Sequence, residues 1–315
     1  MHGETDATAN TGSLHRPHLP RHDGAMSQPF SQADDDIERK LRATGEAGED
    51  DIDIAETALL LAACDRPELA LGSYRSHLDI LHDSAHDAVD RSGATDAHGV
   101  ADLIGGVISG LYGYRGDAET YDDPRNANLM EVIDRRKGLP VALGIIWLDV
   151  GARMGLDLAG LNFPGHFVLR LRTEGSGPRD AAIIDPFNGG QVLTSADLLS
   201  MIRQVEGPEA TLSPDAYAEV ATRDILLRLQ NNILTRAVRG NDFARAREVV
   251  ARMIWIAPER AGLRFELGRL EVHDGEMGAA VEAFAACHEL ATAQGETRIA
   301  DMAEQALSQL KPRLN

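Results

Sequence analysis

The chain has 315 residues, 43% of them hydrophobic and 26% charged, which is enough for two compact domains. Acidic residues outnumber basic ones by 50 to 31, and the formal net charge of -19 excludes a nucleic-acid-binding role and opposes anionic membrane surfaces. No apolar run is long enough to cross a bilayer, so we expect no membrane partner.

Cysteine usage is sparse, with Cys64 and Cys287 far apart in apolar surroundings. Their positions match neither a disulfide framework nor the spacing of metal ligands. Together with the lack of a signal-peptide pattern, this favours a reducing, cytoplasmic location. No motif indicates a cofactor or a metal, and we expect none.

Residues 1–50 are predicted to form a disordered tail. The first 31 positions are rich in His, Pro, Gly, Asp and Thr and contain no apolar run that could join a core. The histidines of this tail are irregularly spaced, which disfavours a metal site. The first folded domain is therefore expected to begin at Asp51.

Three helices are predicted next. Apolar residues recur with helical spacing over 52–63, where acidic residues crowd the start. A second helix is expected over 73–89. A third follows Thr95, which would be its N-cap, and ends near Gly113. Together these helices would form one layer.

The middle of the chain begins with a loop rich in Asp, Asn and Pro over 121–128, followed by a short helix over 129–135. Pro140 is predicted to start another helix, because a proline in the first helical turn lacks an N–H that would have no partner there. Residues 140–154 are apolar around most of the helix circumference, so this helix should be buried on several sides.

Three runs after this helix have strand character, over 158–161, 166–171 and 181–185. A Gly- and Ser-rich stretch over 173–178 separates the last two and is typical of a hairpin loop. We therefore expect one buried helix on a small antiparallel sheet, which places the chain in the α+β class.

The last domain, expected over 215–315, has a helical pattern throughout. It follows a capped helix at 193–199 and a linker at 208–214. Within it, residues 241–246 and 275–280 match each other with an offset of 34 residues, the length of a tetratricopeptide unit. Two units and an extra helix are predicted. They would either buttress the first domain or offer a peptide-binding groove.

Three strings in the middle of the chain carry a family resemblance: G-L-P-V-A-L-G at 138–144, N-F-P-G-H-F-V-L-R at 162–170 and I-I-D-P-F-N-G-G at 183–190. In this order they resemble the bacterial SirB-type transglutaminase-like family. The resemblance spans 51–199, within a first domain expected over 51–207. It implies a transglutaminase-like, papain-type core followed by an all-α tetratricopeptide-like array.

The catalytic arrangement of such enzymes is a cysteine thiolate at a helix N-terminus, a histidine and an aspartate. The resemblance assigns the histidine to His166 and the aspartate to Asp185, and we expect a hydrogen bond between them. At the position of the nucleophile this chain has Pro140, which cannot form a thioester. His166 and Asp185 would then be a remnant catalytic dyad, or simply a buried polar pair.

The preferred interpretation is a non-catalytic pseudoenzyme that binds a protein partner through its helical repeats or its former cleft. The alternative is a hydrolase or amidase in which His166 and Asp185 activate water directly. Candidates for the lining of the cleft are Tyr121, Asn126, Asn128, Gly165 and Asn188. The same residues could instead brace their loops or form turns.

Overall fold

The computed structural model describes residues 32–173, 177 and 180–310, which contain twelve α-helices and six short β-strands. The first helices are α1 (Gln32–Glu46), α2 (Ile54–Ala63), α3 (Gly72–Ser92) and α4 (Ala97–Gly105), and α4 continues as a π-helix over Gly106–Leu111. This confirms the predicted helical layer. The N-cap of α4 is Asp96 rather than Thr95, because the Asp96 carboxylate accepts a hydrogen bond from the Gly99 N–H at 2.9 Å.

Residues 32–46 form a helix where the sequence predicts part of a disordered tail. Ile37 and Leu41 lie one turn apart on the same face of α1, and Leu41 is fully buried. They pack against the helix at Phe243–Ile256, so the surface that orders α1 is remote in the sequence. The prediction is wrong here for that reason. Residues 1–31, including the histidines of the tail, lie outside the described residues.

A buried helix and a four-stranded sheet form the middle of the fold. A two-residue parallel ladder pairs β1 (Arg115–Gly116) with β2 (Lys137–Gly138), on either side of α5 (Leu129–Arg135). Pro140 begins α6 (Pro140–Arg153) as predicted, and residues 141–151 are all buried. The antiparallel sheet then follows in chain order: β3 (Asp157–Leu161), β4 (Val168–Arg172), β5 (Ala182–Asp185) and β6 (Gln191–Leu193).

The register of this sheet places the candidate residues at one end. Leu169 of β4 pairs with Ile184 of β5, so the start of β4 and the end of β5 lie at the same edge. His166 precedes β4 in a turn and is not part of the strand. The edge strand β6 is not anticipated by the sequence, and part of the predicted hairpin loop at 173–178 lies outside the described residues.

The remaining helices are α7 (Ser195–Glu206), α8 (Thr222–Arg239), α9 (Phe243–Ile256), α10 (Ala261–Asp274), α11 (Met277–Gln294) and α12 (Thr297–Leu310). The helices α9 and α11 begin at the two positions that the repeat predicts to be equivalent. The pairs α8–α9 and α10–α11 pack as two units, with α12 as the extra helix. In the described part of the chain, no helix is both long and apolar enough to span a membrane.

The helical array is joined to the first domain by packing as well as by the chain. The Val220 N–H donates to the Gly160 carbonyl of β3 at 2.9 Å, so the segment between the predicted linker and α8 follows the sheet edge. Helix α8 then packs on α2 and α6 through Ile225, Leu226 and Leu229, which are 0–2% exposed. The hydrophobic core is continuous across this junction. The predicted domain limits 51–207 and 215–315 stay predictions.

Candidate active site

The first turn of α6 is where the family resemblance places the nucleophile. Pro140 is the first helical residue, Leu139 is the N-cap, and no side chain caps the helix. The Leu139 N–H donates to the Asn126 carbonyl at 2.9 Å, which fixes the approach of the chain to the helix. The following residues, Val141 and Ala142, are buried. This turn presents only apolar side chains and offers no thiol, hydroxyl or imidazole.

Asp185 closes the turn that follows β5. One carboxylate oxygen accepts hydrogen bonds from the N–H groups of Phe187 at 2.9 Å and Asn188 at 3.2 Å, and the other accepts from Asn188 Nδ2 at 2.7 Å. Asp185 is 4% exposed, so these three donors hold a buried carboxylate in one orientation. Across the described residues, no hydrogen bond joins it to His166, and the expected bond is not formed.

His166 is half-buried in the turn before β4. Its N–H donates to the Phe163 carbonyl at 3.3 Å, and its own carbonyl accepts a hydrogen bond from Arg228 Nη2 at 3.1 Å. His166 and Asp185 therefore share one end of the sheet, but each is held by other groups. Their role as remnants of a catalytic dyad stays a prediction.

Arg228 is a residue of this site that sequence reasoning missed. It lies on α8, one turn after the buried Ile225, and its guanidinium stands over the Phe167 ring at 5.4 Å from the ring centroid. That ring packs against α6 at Gly144, where a Cβ would come within 2.4 Å of it. The signal in the sequence was an arginine placed among the apolar positions of an amphipathic helix.

Two of the predicted cleft residues are buried, and their side chains form hydrogen bonds within the protein. Asn126 is fully buried, and its Oδ1 accepts from Arg135 Nη1 at 3.0 Å, so it braces the loop and does not line an open cleft. Asn128 caps α5 through the Glu131 N–H at 3.1 Å and donates to the Ala62 carbonyl at 3.1 Å. Asn128 also borders a cavity of about 510 Å³ between this loop and the α8–α9 pair.

The other predicted cleft residues lie at the surface. Tyr121 is 46% exposed, with its ring edge-on to Phe187 at 5.9 Å and the Arg236 guanidinium 5.9 Å from its centroid. Asn188 is exposed in the Asp185 turn, and Gly165 is exposed with φ +71°. Tyr121 thus connects α8 to the turn that holds Asp185. Whether these residues contact a ligand stays a prediction.

The two cysteines belong to other elements. Cys64 follows the last residue of α2, and Cys287 is buried in α11, where burial raises the pKa of its thiol. Within the described ranges, no cluster of three or more His, Cys, Asp or Glu side chains is arranged to hold a metal ion. The site therefore combines a guanidinium, a half-buried histidine and an exposed aromatic ring with a helix start whose side chains are all apolar.

Comparison with known proteins identifies two matching families. The profile of the transglutaminase-like superfamily matches residues 72–231, and a tetratricopeptide repeat profile matches 233–308. A UPF0162 protein of Xylella fastidiosa is 30% identical over 66% of this chain and 73% of its own length. Another, from Vibrio cholerae, is 34% identical over 42% of this chain and 51% of its own length.

Two more distant similarities extend beyond bacteria. F-box only protein 21 of Mus musculus is 26% identical over 56% of this chain and 28% of its own length. A crystal structure of menin, which reveals its binding site for Mixed Lineage Leukemia protein, covers 82% of this chain and 70% of the menin chain, with 11% identity and a TM-score of 0.37. The superfamily match, the UPF0162 relatives and the fold lead to one conclusion: the chain belongs to the transglutaminase-like superfamily and carries a tetratricopeptide repeat extension.

Proposed function

We propose that this protein is a non-catalytic member of its superfamily that binds a protein partner in the cytoplasm. The observation that carries the proposal is Pro140 at the first position of α6, where the catalytic thiol of the related enzymes would stand. Tetratricopeptide repeats form extended surfaces that commonly bind other proteins, which supports the binding role. The cytoplasmic location rests on the sparse, widely separated cysteines.

The hydrogen bonds of Asp185 disfavour the hydrolase alternative. A histidine that activates water needs a partner that fixes its tautomer and orientation. Both Asp185 oxygens instead accept hydrogen bonds from its own turn, and the described residues provide His166 with no side-chain partner of that kind. The pair therefore lacks the coupling that the hydrolase reaction would require.

The direct test is an activity measurement on the purified full chain. We expect no acyl transfer or hydrolysis with glutamine-containing, peptide or ester substrates, because no activated nucleophile lies at the start of α6. Turnover that disappears after treatment with iodoacetamide or after His166→Ala would overturn the non-catalytic role. If no turnover is found, affinity capture with the same protein identifies the partner.

A second test restores the missing thiol. In the variant Pro140→Cys, the new thiol lies at the N-terminus of α6, and the helix dipole favours its thiolate. We expect its pKa to fall below the ordinary cysteine value of about 8.5. The measurement is the pH dependence of iodoacetamide alkylation, with each cysteine followed by peptide mass spectrometry so that Cys64 and Cys287 serve as internal references.

The matched control is Ala152→Cys, an exposed position in the last turn of the same helix. There the dipole disfavours the thiolate, so this thiol should titrate at or above the ordinary value. If the two thiols have the same pKa, the start of α6 does not stabilise a thiolate. The idea that this helix start derives from a catalytic site is then contradicted. Turnover is not expected to return, since no hydrogen bond couples His166 to Asp185.

A further inference from the structure

Arg228 is a half-buried arginine whose guanidinium packs on an aromatic ring. Within the described ranges the guanidinium donates one hydrogen bond, from Nη2 to the His166 carbonyl, and its face covers the Phe167 ring. Among the residues that the structure describes, no Asp or Glu forms an ion pair with it. An arginine has five N–H donors in a planar fork, so most of its hydrogen-bonding capacity is unused by the protein.

Several neighbouring arginines do have acidic partners. On α8 itself, Arg223 pairs with Glu49 at 3.1 Å and Arg236 with Asp122 at 3.4 Å. On α9, Arg245 pairs with Asp65. Since the chain has 50 acidic residues, the lack of a carboxylate beside Arg228 does not reflect a shortage of acids.

The pKa values of Arg228 and Arg245 are shifted in opposite directions. Burial lowers the pKa of Arg228, and the nearby Tyr121 hydroxyl only opposes that shift. Burial would also lower the pKa of Arg245, but its ion pair with Asp65 raises that pKa overall. A charge that is withdrawn from water without a counter-charge costs stability, which a bound anion would offset.

The surroundings of Arg228 suit a peptide. Its guanidinium stands over the Phe167 ring, and two turns further along α8 the Arg236 guanidinium lies at the half-exposed ring of Tyr121, which is edge-on to Phe187. His166, whose backbone carbonyl accepts the Arg228 hydrogen bond, is half-buried on the sheet side. Aromatic anchors next to an arginine are typical of the energetically dominant parts of protein interfaces.

We propose that Arg228, with His166 and Phe167 beside it, binds a single carboxylate presented by a peptide segment of the protein partner. This deepens the proposed binding function and rests on it. A guanidinium matches a carboxylate with two parallel N–H···O hydrogen bonds. One carboxylate balances the charge of Arg228, whereas a polyanion would be repelled by the net charge of -19.

The experiment is a selection of displayed random heptapeptides on the immobilised full chain, in parallel with the variant Arg228→Gln. Peptides enriched on the wild-type protein are expected to share an Asp, a Glu or a free C-terminus. A synthetic enriched peptide, followed by fluorescence anisotropy, should bind Arg228→Gln about 10- to 100-fold more weakly, as the loss of a charged hydrogen-bonded pair predicts.

Three controls make the outcome specific. Arg239→Gln changes an exposed arginine in the last turn of the same helix and should leave the affinity unchanged. Replacing the peptide's Glu with Gln, or amidating its C-terminus, identifies which carboxylate binds. Arg228→Lys keeps the charge but loses the planar fork, and should give an intermediate affinity; it also serves if Arg228→Gln fails to fold by circular dichroism.

The proposal is overturned if no peptide is enriched, if the enriched peptides share no carboxylate, or if they bind the Arg228 variants as tightly as the wild type. Peptides that bind without a carboxylate would leave the non-catalytic binding function intact. Acyl turnover in the activity measurement would instead remove that function, so the two failures can be told apart.

Discussion

Replacing Gly190 with alanine is expected to lower the free energy of unfolding by about 3 kcal/mol, through backbone strain and overpacking together. Gly190 has φ +80°, a conformation that a residue with a Cβ rarely adopts. Its added Cβ would lie 2.4 Å from Cζ2 of Trp147, a side chain that is 1% exposed in α6 and cannot move aside without disturbing the core. Urea denaturation followed by Trp fluorescence measures the change.

Gly189→Ala is the matched control. Gly189 has nearly the same backbone angle, φ +72°, but the nearest atom to its added Cβ is Ser109 Cβ at 3.8 Å. This variant should lose only the conformational part, about 1 kcal/mol. Equal losses in the two variants would show that the close approach to Trp147 does not constrain this turn, contrary to the geometry of the fold.

Arg223→Met is expected to cost about 3 kcal/mol of unfolding free energy, because it strands several backbone carbonyls at once. The Arg223 guanidinium donates to the carbonyl of Thr44 at 3.1 Å, to that of Ala47 at 2.8 Å, and to that of Ile256 at the end of α9. Its side chain is only 7% exposed, so water cannot easily replace these bonds. A single side chain thus satisfies the C-terminal carbonyls of α1 and α9 together.

The control for this prediction is Arg239→Met, which makes the same chemical change at an exposed position of α8. A change within about 0.5 kcal/mol is expected there. Hydrogen exchange should show, in addition, that the Arg223 variant loses protection mainly in α1 and the end of α9. Uniform loss across the protein, or a loss as small as that of the control, would contradict the assigned role.

The parts of the fold that the sequence predicts are those with local signals. Pro140 marks a helix start because its own ring determines the backbone angle, and the apolar circumference of 141–151 predicts burial whatever the partner is. The 34-residue offset of the tetratricopeptide units is likewise read from the chain alone. These predictions depend on neighbouring residues, and the structure confirms them.

The parts that sequence reasoning misses depend on contacts between remote segments. α1 is ordered by α9, and Arg228 reaches His166 from a helix assigned to the other domain. The hydrogen bond expected between His166 and Asp185 is not formed, and both carboxylate oxygens accept hydrogen bonds from the turn that follows Asp185. A spacing pattern identifies which residues share an edge of the sheet, but not which donor an acceptor takes.

The packing of α1 on α9 also has a consequence for the order in which the protein is synthesised. The ribosome releases α1 first, whereas α8 and α9, which cover α1, α2 and α6, emerge only after the whole sheet. Until then the apolar faces of the early helices stay open to solvent, and contacts of such high sequence separation form slowly. During this stage of synthesis, the exposed apolar faces make the nascent chain prone to associate with other chains. A gene truncated before α8 would leave its product permanently in that state.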